Sequence, residues 1–299
     1  MATDNELLAQ LRREIDRIDE TIHDLIIART KVVEQVRVAK EGEKVKIRPA
    51  REAEILYRLM ARHTGGFPKR ELARIWREMI VATLGFEGPF SVAVFVAEDG
   101  AGYWDLARDQ YGTFTPMSRH MSARSVVEAV GNFDATVGIL PLPRRDDKDQ
   151  WWRLLISDAA DTPRIIARLP FIAGANGRGA DVEALVISPI DQEETGRDRS
   201  FLAIEAAEDI GAKAVDNTLS QAGVSVASQF VWHDPDRPAS WTHLVETFGF
   251  VECRGRQMKR LKDAFGKQAE RIVHLGGYAT PLGDAELAQT GNPERSARS

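Results

Sequence analysis

Arg12, Arg29, Lys40, Arg51, Glu52, Thr83 and Glu87 are the residues of this chain whose types and spacing suit chemistry on a small anion. Arg29 lies in "IIARTKVVEQVRVAK", residues 26–40, where apolar residues recur at alternating steps of three and four. It takes the seam position between Leu25 and Val32, where another Leu or Ile is expected. A guanidinium removed from water without an anion costs several kcal/mol, so an anion is expected beside it. Arg29 and Lys40 share a helix face to within about 20° and stand roughly 16 Å apart along the axis. Long side chains at that distance enclose one small anion. Arg12 is about 25 Å from Arg29 and about 100° round the helix, so it reaches the same ligand only from a second, antiparallel copy.

Two further helices carry polar residues to match. "REAE" opens one with Arg51 and Glu52, and Thr83 and Glu87, four apart, project from one face of the other. Guanidinium N–H pairs match the two oxygens of a carboxylate. The whole set therefore suits a small dicarboxylate that also carries a hydroxyl. Taken singly, each residue has a plainer reading. A polar seam residue sets register or oligomer state, and Arg51 with Glu52 reads as a solvated pair at a helix start. The joint pattern is what points to a ligand.

The elements that must position these residues are legible in the apolar spacing. Residues 5–87 read as helix throughout. A first helix runs from about Asn5 to Lys40 and breaks at "EGEKVKIRP"; "AREAEILYRLMARH" and "KRELARIWREMIVATLGFE" follow, separated by "TGGFP". So long a first helix has no partner of its own length within 1–88, which again predicts an intertwined pair of chains. Beyond residue 90, short apolar runs "SVAVFVA", "TVGILPL", "RIIARLPFIA" and "VEALVIS" predict an α/β region. From Ser200 the order is strand, helix, strand, strand, helix, strand, the βαββαβ arrangement. The polar end, "GDAELAQTGNPERSARS", is expected to be disordered.

"LRREIDRIDETIHDLIIARTKVVEQVRVAK", "REAEILYRL" and "IWREMIVATLGFE" together resemble the all-helical chorismate mutase family over residues 5–87. The resemblance implies an all-α intertwined three-helix domain over 1–88 and rearrangement of chorismate to prephenate, with no metal or cofactor. It implies that Arg29 and Arg12 of the second copy grip the two carboxylates. Glu52, with backbone near Arg48, would hold the ring hydroxyl, and Lys40 with Glu87 would donate to the ether oxygen. Thr83 would assist at a carboxylate, and Arg51 would support the pocket. Most members carry a neutral amide where this chain has Glu87. A carboxylate donates a hydrogen bond only when protonated, so activity is expected to fall as pH rises through neutrality. Arg48 stands where some members have an acid.

The rest of the chain faintly resembles prephenate dehydratase over 89–195 and an amino-acid-binding regulatory domain of the ACT type over 196–282, leaving 283–299 as tail. The positions of the dehydratase Thr-Arg-Phe motif read Val182, Glu183 and Ala184. A glutamate in place of arginine repels a dianion. "AAEDIGAKAV" replaces the usual Arg-Pro-Gly turn of the regulatory domain. The resemblance thus implies a degenerate, non-catalytic C-terminal region, with a small-molecule effector as its expected ligand.

Composition sets the outer bounds. The net charge is −5 over 299 residues, with no basic surplus for nucleic acid. The single cysteine, Cys253, excludes an internal disulfide and fits a reducing cytoplasm. The N-terminus is unlike a secretory signal, and no apolar run approaches the ~18–20 residues that cross a bilayer. His23, His63, His120, His233, His243 and His274 show no metal spacing with Cys253. "GANGRGA" and "RRDDKDQ" read as surface loops, and Trp151 and Trp152 as core or interface. The expectation is a cytosolic homodimeric chorismate mutase of aromatic amino acid biosynthesis. The alternatives are a bifunctional mutase and dehydratase, an isochorismate pyruvate lyase, and a non-catalytic partner of another shikimate-pathway enzyme.

Overall fold

Apolar residues at Leu56, Met60, Ala73, Ile80 and Leu84 make one buried stripe on each of two short helices, and those stripes fix how the N-terminal segment sits. The computed structural model describes residues 4–39, 41–42, 44–96, 102–159, 161–174, 182–235, 237 and 239–288. Helix α1 spans Asp4–Ala39, α2 Pro49–Arg62 and α3 Lys69–Glu87. Pro49 opens α2, where its missing N–H costs nothing. The Glu52 amide donates to the Arg48 carbonyl at 3.0 Å in that first turn. α1 packs along α3 and α2 along α3.

The strands are β1 (Val92–Phe95), β2 (Met117–His120), β3 (Val137–Pro141), β4 (Arg164–Leu169), β5 (Ala184–Ser188), β6 (Asp198–Ala206), β7 (Ser225–His233), β8 (Trp241–Phe248) and β9 (Arg271–Ala279). Helices α4 (Tyr103–Tyr111) and α5 (Ala123–Gly131) lie between β1 and β3, α6 (Ala212–Gln221) follows β6 and α7 (Arg256–Phe265) precedes β9. β6 to β9 with α6 and α7 form the expected βαββαβ unit, all four strands antiparallel, in the order β9-β6-β8-β7. β2 falls in "MSRH", which has no apolar alternation; it forms by pairing along β1, Val92 opposite Met117.

The expected division at residue 195 is not a division of the sheet. Among the described residues, one nine-stranded sheet runs β2-β1-β3-β5-β4-β9-β6-β8-β7. It is joined where Ile165 of β4 pairs with Gly276 of β9. Gly276 has φ +103°, and a Cβ there would overlap the Ile165 backbone, so only glycine admits the junction. Trp151 and Trp152 are core residues, 1% and 0% exposed, beneath α5 and β3.

The expectation of disorder over 283–299 is corrected at its start. Asp284–Leu287 form a helical turn, α8. Leu287 joins Leu56, Met60, Ala73, Phe171, Ile172 and Leu282 in one apolar cluster. Arg197 donates to Glu286 at 2.6 Å, and Lys69 Nζ donates to the Glu286 carbonyl at 3.3 Å. One apolar residue of a polar tail, Leu287, thus finds partners that only the tertiary fold supplies. Residues 289–299, and 175–180 of the glycine-rich stretch, lie outside the described residues. Among the described residues, no helix is long and apolar enough to cross a membrane.

Candidate active site

Arg12 and Arg29 both lie on α1, a helix without one buried residue in the single chain. Arg12 is exposed and Arg29 half-buried. The seam that holds Arg29 is open as well: Leu11, Ile15, Ile18, Ile22, Leu25 and Val32 are 46–63% exposed. That is the pattern of a helix whose apolar face is meant for another surface. Lys40 lies outside the described residues.

Glu52 is the residue the fold treats most unusually. The first turn of α2 turns it inward, 7% exposed, against α3. There Arg77 Nη1 donates to Glu52 Oε2 at 2.5 Å. Glu52 Oε1 and Arg77 Nε are buried and make no hydrogen bond. An unmet buried acceptor costs about 1–3 kcal/mol, so the free oxygen of Glu52 is a place where a donor is favoured. Tyr111, at the end of α4, is buried nearby; burial, then the Glu52 charge, push its hydroxyl well above the usual phenol range, with Arg77 opposing. Phe171 lies under the Arg77 guanidinium, 5.6 Å to the ring centre.

Thr83 is buried on α3, and its hydroxyl donates to the Ile80 carbonyl at 2.8 Å. Its one hydrogen is held by its own helix, a common state for Thr in helices. Donation to a ligand carboxylate would require it to rotate away. Glu87 is half-buried as the last residue of α3. Arg51 is exposed and pairs with Glu54 at 3.1 Å, the surface arrangement. Arg48 donates through Nε to Glu193 at 3.0 Å, in the segment between β5 and β6.

The single chain therefore brings Glu52 and Thr83 into the buried contact of α2 and α3, and leaves Arg12 and Arg29 on an open helix. Arg77 was not picked out in the sequence. The signal was there: it falls four after Ala73, three before Ile80 and seven before Leu84, all buried, so it interrupts an apolar stripe as Arg29 does.

In the C-terminal region, Glu183 accepts from Arg168 at 2.8 Å. Arg168 also donates to the Tyr278 hydroxyl at 3.0 Å, and that hydroxyl donates in turn to Glu246. The carboxylate in the second motif position is thus committed to an internal arginine.

The chorismate mutase type II family model matches residues 11–88, and that segment is a chorismate mutase type II domain. Two curated bifunctional chorismate mutase/prephenate dehydratases are similar to this chain. The protein from Stutzerimonas stutzeri is 32% identical over 146 residues, 45% of this chain and 38% of that protein. The one from Aquifex aeolicus is 32% identical over 145 residues, 46% of this chain and 39% of that protein. The chain matches about two fifths of the length of these relatives. Among solved structures, a prephenate dehydratase from Streptococcus mutans covers 64% of this chain and 98% of its own, at 13% identity and TM-score 0.46. One from Arthrobacter aurescens, in complex with L-Phe, covers 68% and 94%, at 12% identity and TM-score 0.45.

Proposed function

We propose that the chain is a homodimeric chorismate mutase that converts chorismate to prephenate. The observation that carries this reading is the mutase family match over residues 11–88; Arg12, Arg29, Lys40, Arg51, Glu52, Thr83 and Glu87, which the sequence resemblance assigns to the site, all fall within that range. The reaction is pericyclic: the ether C–O bond breaks as a C–C bond forms in the same molecule. No nucleophile or proton transfer is needed. The protein's task is to hold the folded conformer and to stabilise charge that grows on the ether oxygen.

In this reading Arg29 and the partner's Arg12 bind the two carboxylates, across a dimer that covers the open face of α1. Glu52 Oε1 accepts from the ring hydroxyl, and Lys40, with Glu87 beside it, donates to the ether oxygen. Thr83 assists at a carboxylate after rotating from Ile80, and Arg51 supports the pocket.

The region beyond residue 88 is proposed to be non-catalytic, supported by Glu183 in place of the motif arginine and its pairing with Arg168. A small-molecule effector there is part of the proposal. The proposal puts such a ligand in the cavity of about 420 Å³ lined by Arg48, Ile47, Ile190, Glu193 and Tyr278, beside the start of α2.

The test is chorismate consumption by the purified full-length chain, with prephenate, phenylpyruvate and pyruvate assayed together. Prephenate alone is expected. Phenylpyruvate would make the chain bifunctional, pyruvate would make it a lyase, and no turnover would make it a non-catalytic partner.

A further inference from the structure

The Glu52 carboxylate has two oxygens with different fates. Oε2 is held by Arg77 at 2.5 Å, and Oε1 is buried without a partner. The two side chains are 9% and 3% exposed, so water does not arbitrate between the oxygens. A carboxylate bound through one oxygen by a fixed guanidinium loses the freedom to swing about its last torsion. Its second oxygen then points in one direction.

We infer that Arg77 is a positioning residue of the proposed mutase site: it fixes the Glu52 carboxylate so that Oε1 faces the ring hydroxyl of the substrate. The inference rests on the mutase reading and extends it to a residue that touches no substrate atom. Arg77 is itself braced from outside the mutase segment. Its guanidinium lies over Phe171, which follows β4, and Tyr111 of α4 is buried beside the pair. The C-terminal region thereby supports the orientation of a substrate-binding group without taking part in the reaction.

Other features carry less. The charges around the cavity beside Arg48 are paired with one another, Arg48 with Glu193 and Lys44 with Asp161. Arg168 is likewise shared by Glu183, Tyr278 and Glu246.

The experiment compares chorismate with its ring-hydroxyl methyl ether, which offers no hydrogen to Oε1, on full-length chain. Arg77→Met is expected to lower kcat/KM for chorismate by about 10- to 100-fold, the size of a lost hydrogen bond to a charged acceptor. For the methyl ether the expected loss is under about 3-fold, since that bond is never made. Arg77→Lys, which keeps a donor, is expected to recover part of the chorismate rate. In a Glu52→Gln background, Arg77→Met is expected to add no further loss. Equal losses on both substrates, or an undiminished effect beside Glu52→Gln, would overturn the inference while the mutase reading stood. If Arg77→Met alone fails to fold, the double variant, which removes both buried charges, still gives the comparison with Glu52→Gln. A wild-type chain that leaves chorismate unchanged would overturn the reading and this inference with it.

Discussion

The Arg197 guanidinium lies over the Tyr57 ring, 4.1 Å from its centre, and so joins the strand region to α2. Tyr57 also donates its hydroxyl to the Thr280 carbonyl. With Phe171, Ile172, Leu282 and Leu287 packed on Leu56, Met60 and Ala73, helices α2 and α3 share a core with residues far beyond the mutase segment. Phe171→Ala is expected to destabilise the chain by about 3–5 kcal/mol, measured by urea unfolding. Residues 1–88 alone are expected to lack the cooperative thermal transition of the full chain. A fragment that melts as sharply, and at the same temperature, would show that the shared core contributes nothing.

The open face of α1 sets the second expectation. Ile18 and Ile22 are each 50% exposed in the single chain. In a dimer that buries this face, Ile18→Glu places an unpaired charge in the seam. It is expected to yield monomer by sedimentation and to abolish turnover. A wild-type chain that sediments as monomer at high concentration, yet turns chorismate over fully, would remove the shared-site proposal.

Glu87 is tested by its amide. An ether oxygen needs a donor, and a carboxyl group donates only while protonated. Glu87→Gln, which always offers an N–H to that oxygen, is therefore expected to retain or raise chorismate turnover. A Glu87→Gln chain that folds normally yet loses chorismate turnover would contradict the role given to Glu87.

His274 gives a pH dependence of stability. Burial, reinforced by the nearby Arg164 charge, pushes its imidazole down from 6.5 to about 4. A histidine depressed in the fold stabilises it fully above its unfolded pKa and loses that contribution as pH falls towards the folded value. The loss between about pH 6.5 and about pH 4 is expected to reach roughly 3 kcal/mol. His243, lowered by burial with Asp209 opposing, acts in the same direction. Urea unfolding at about pH 7.5 and about pH 5 should therefore show a smaller drop for His274→Gln than for the wild type; equal drops would count against it.

The three N-terminal helices were legible almost to the residue, because Gly42, Pro49 and "TGGFP" punctuate long runs of unbroken helical spacing. The βαββαβ unit was legible for the same reason, with strands and helices of ordinary length. The junction of the two sheet regions was not. It rests on one close approach at Gly276, and nothing in a local pattern marks which glycine admits another strand. β2 and α8 were missed because their residues are polar or few, and tertiary pairing makes them. At the site, the charged seam of α1 stood out, whereas Arg77 did not: a lone arginine in α3 gains meaning only when Glu52 is placed against it.

Arg29 tests the central proposal most directly. Chorismate consumption should be measured on the full-length chain and on Arg29→Ala, at equal protein concentration and with unfolding curves for both. The proposal requires turnover to prephenate by the wild type and a loss of about 100-fold or more in the variant. An Arg29→Ala chain that folds normally and consumes chorismate at the wild-type rate would contradict it.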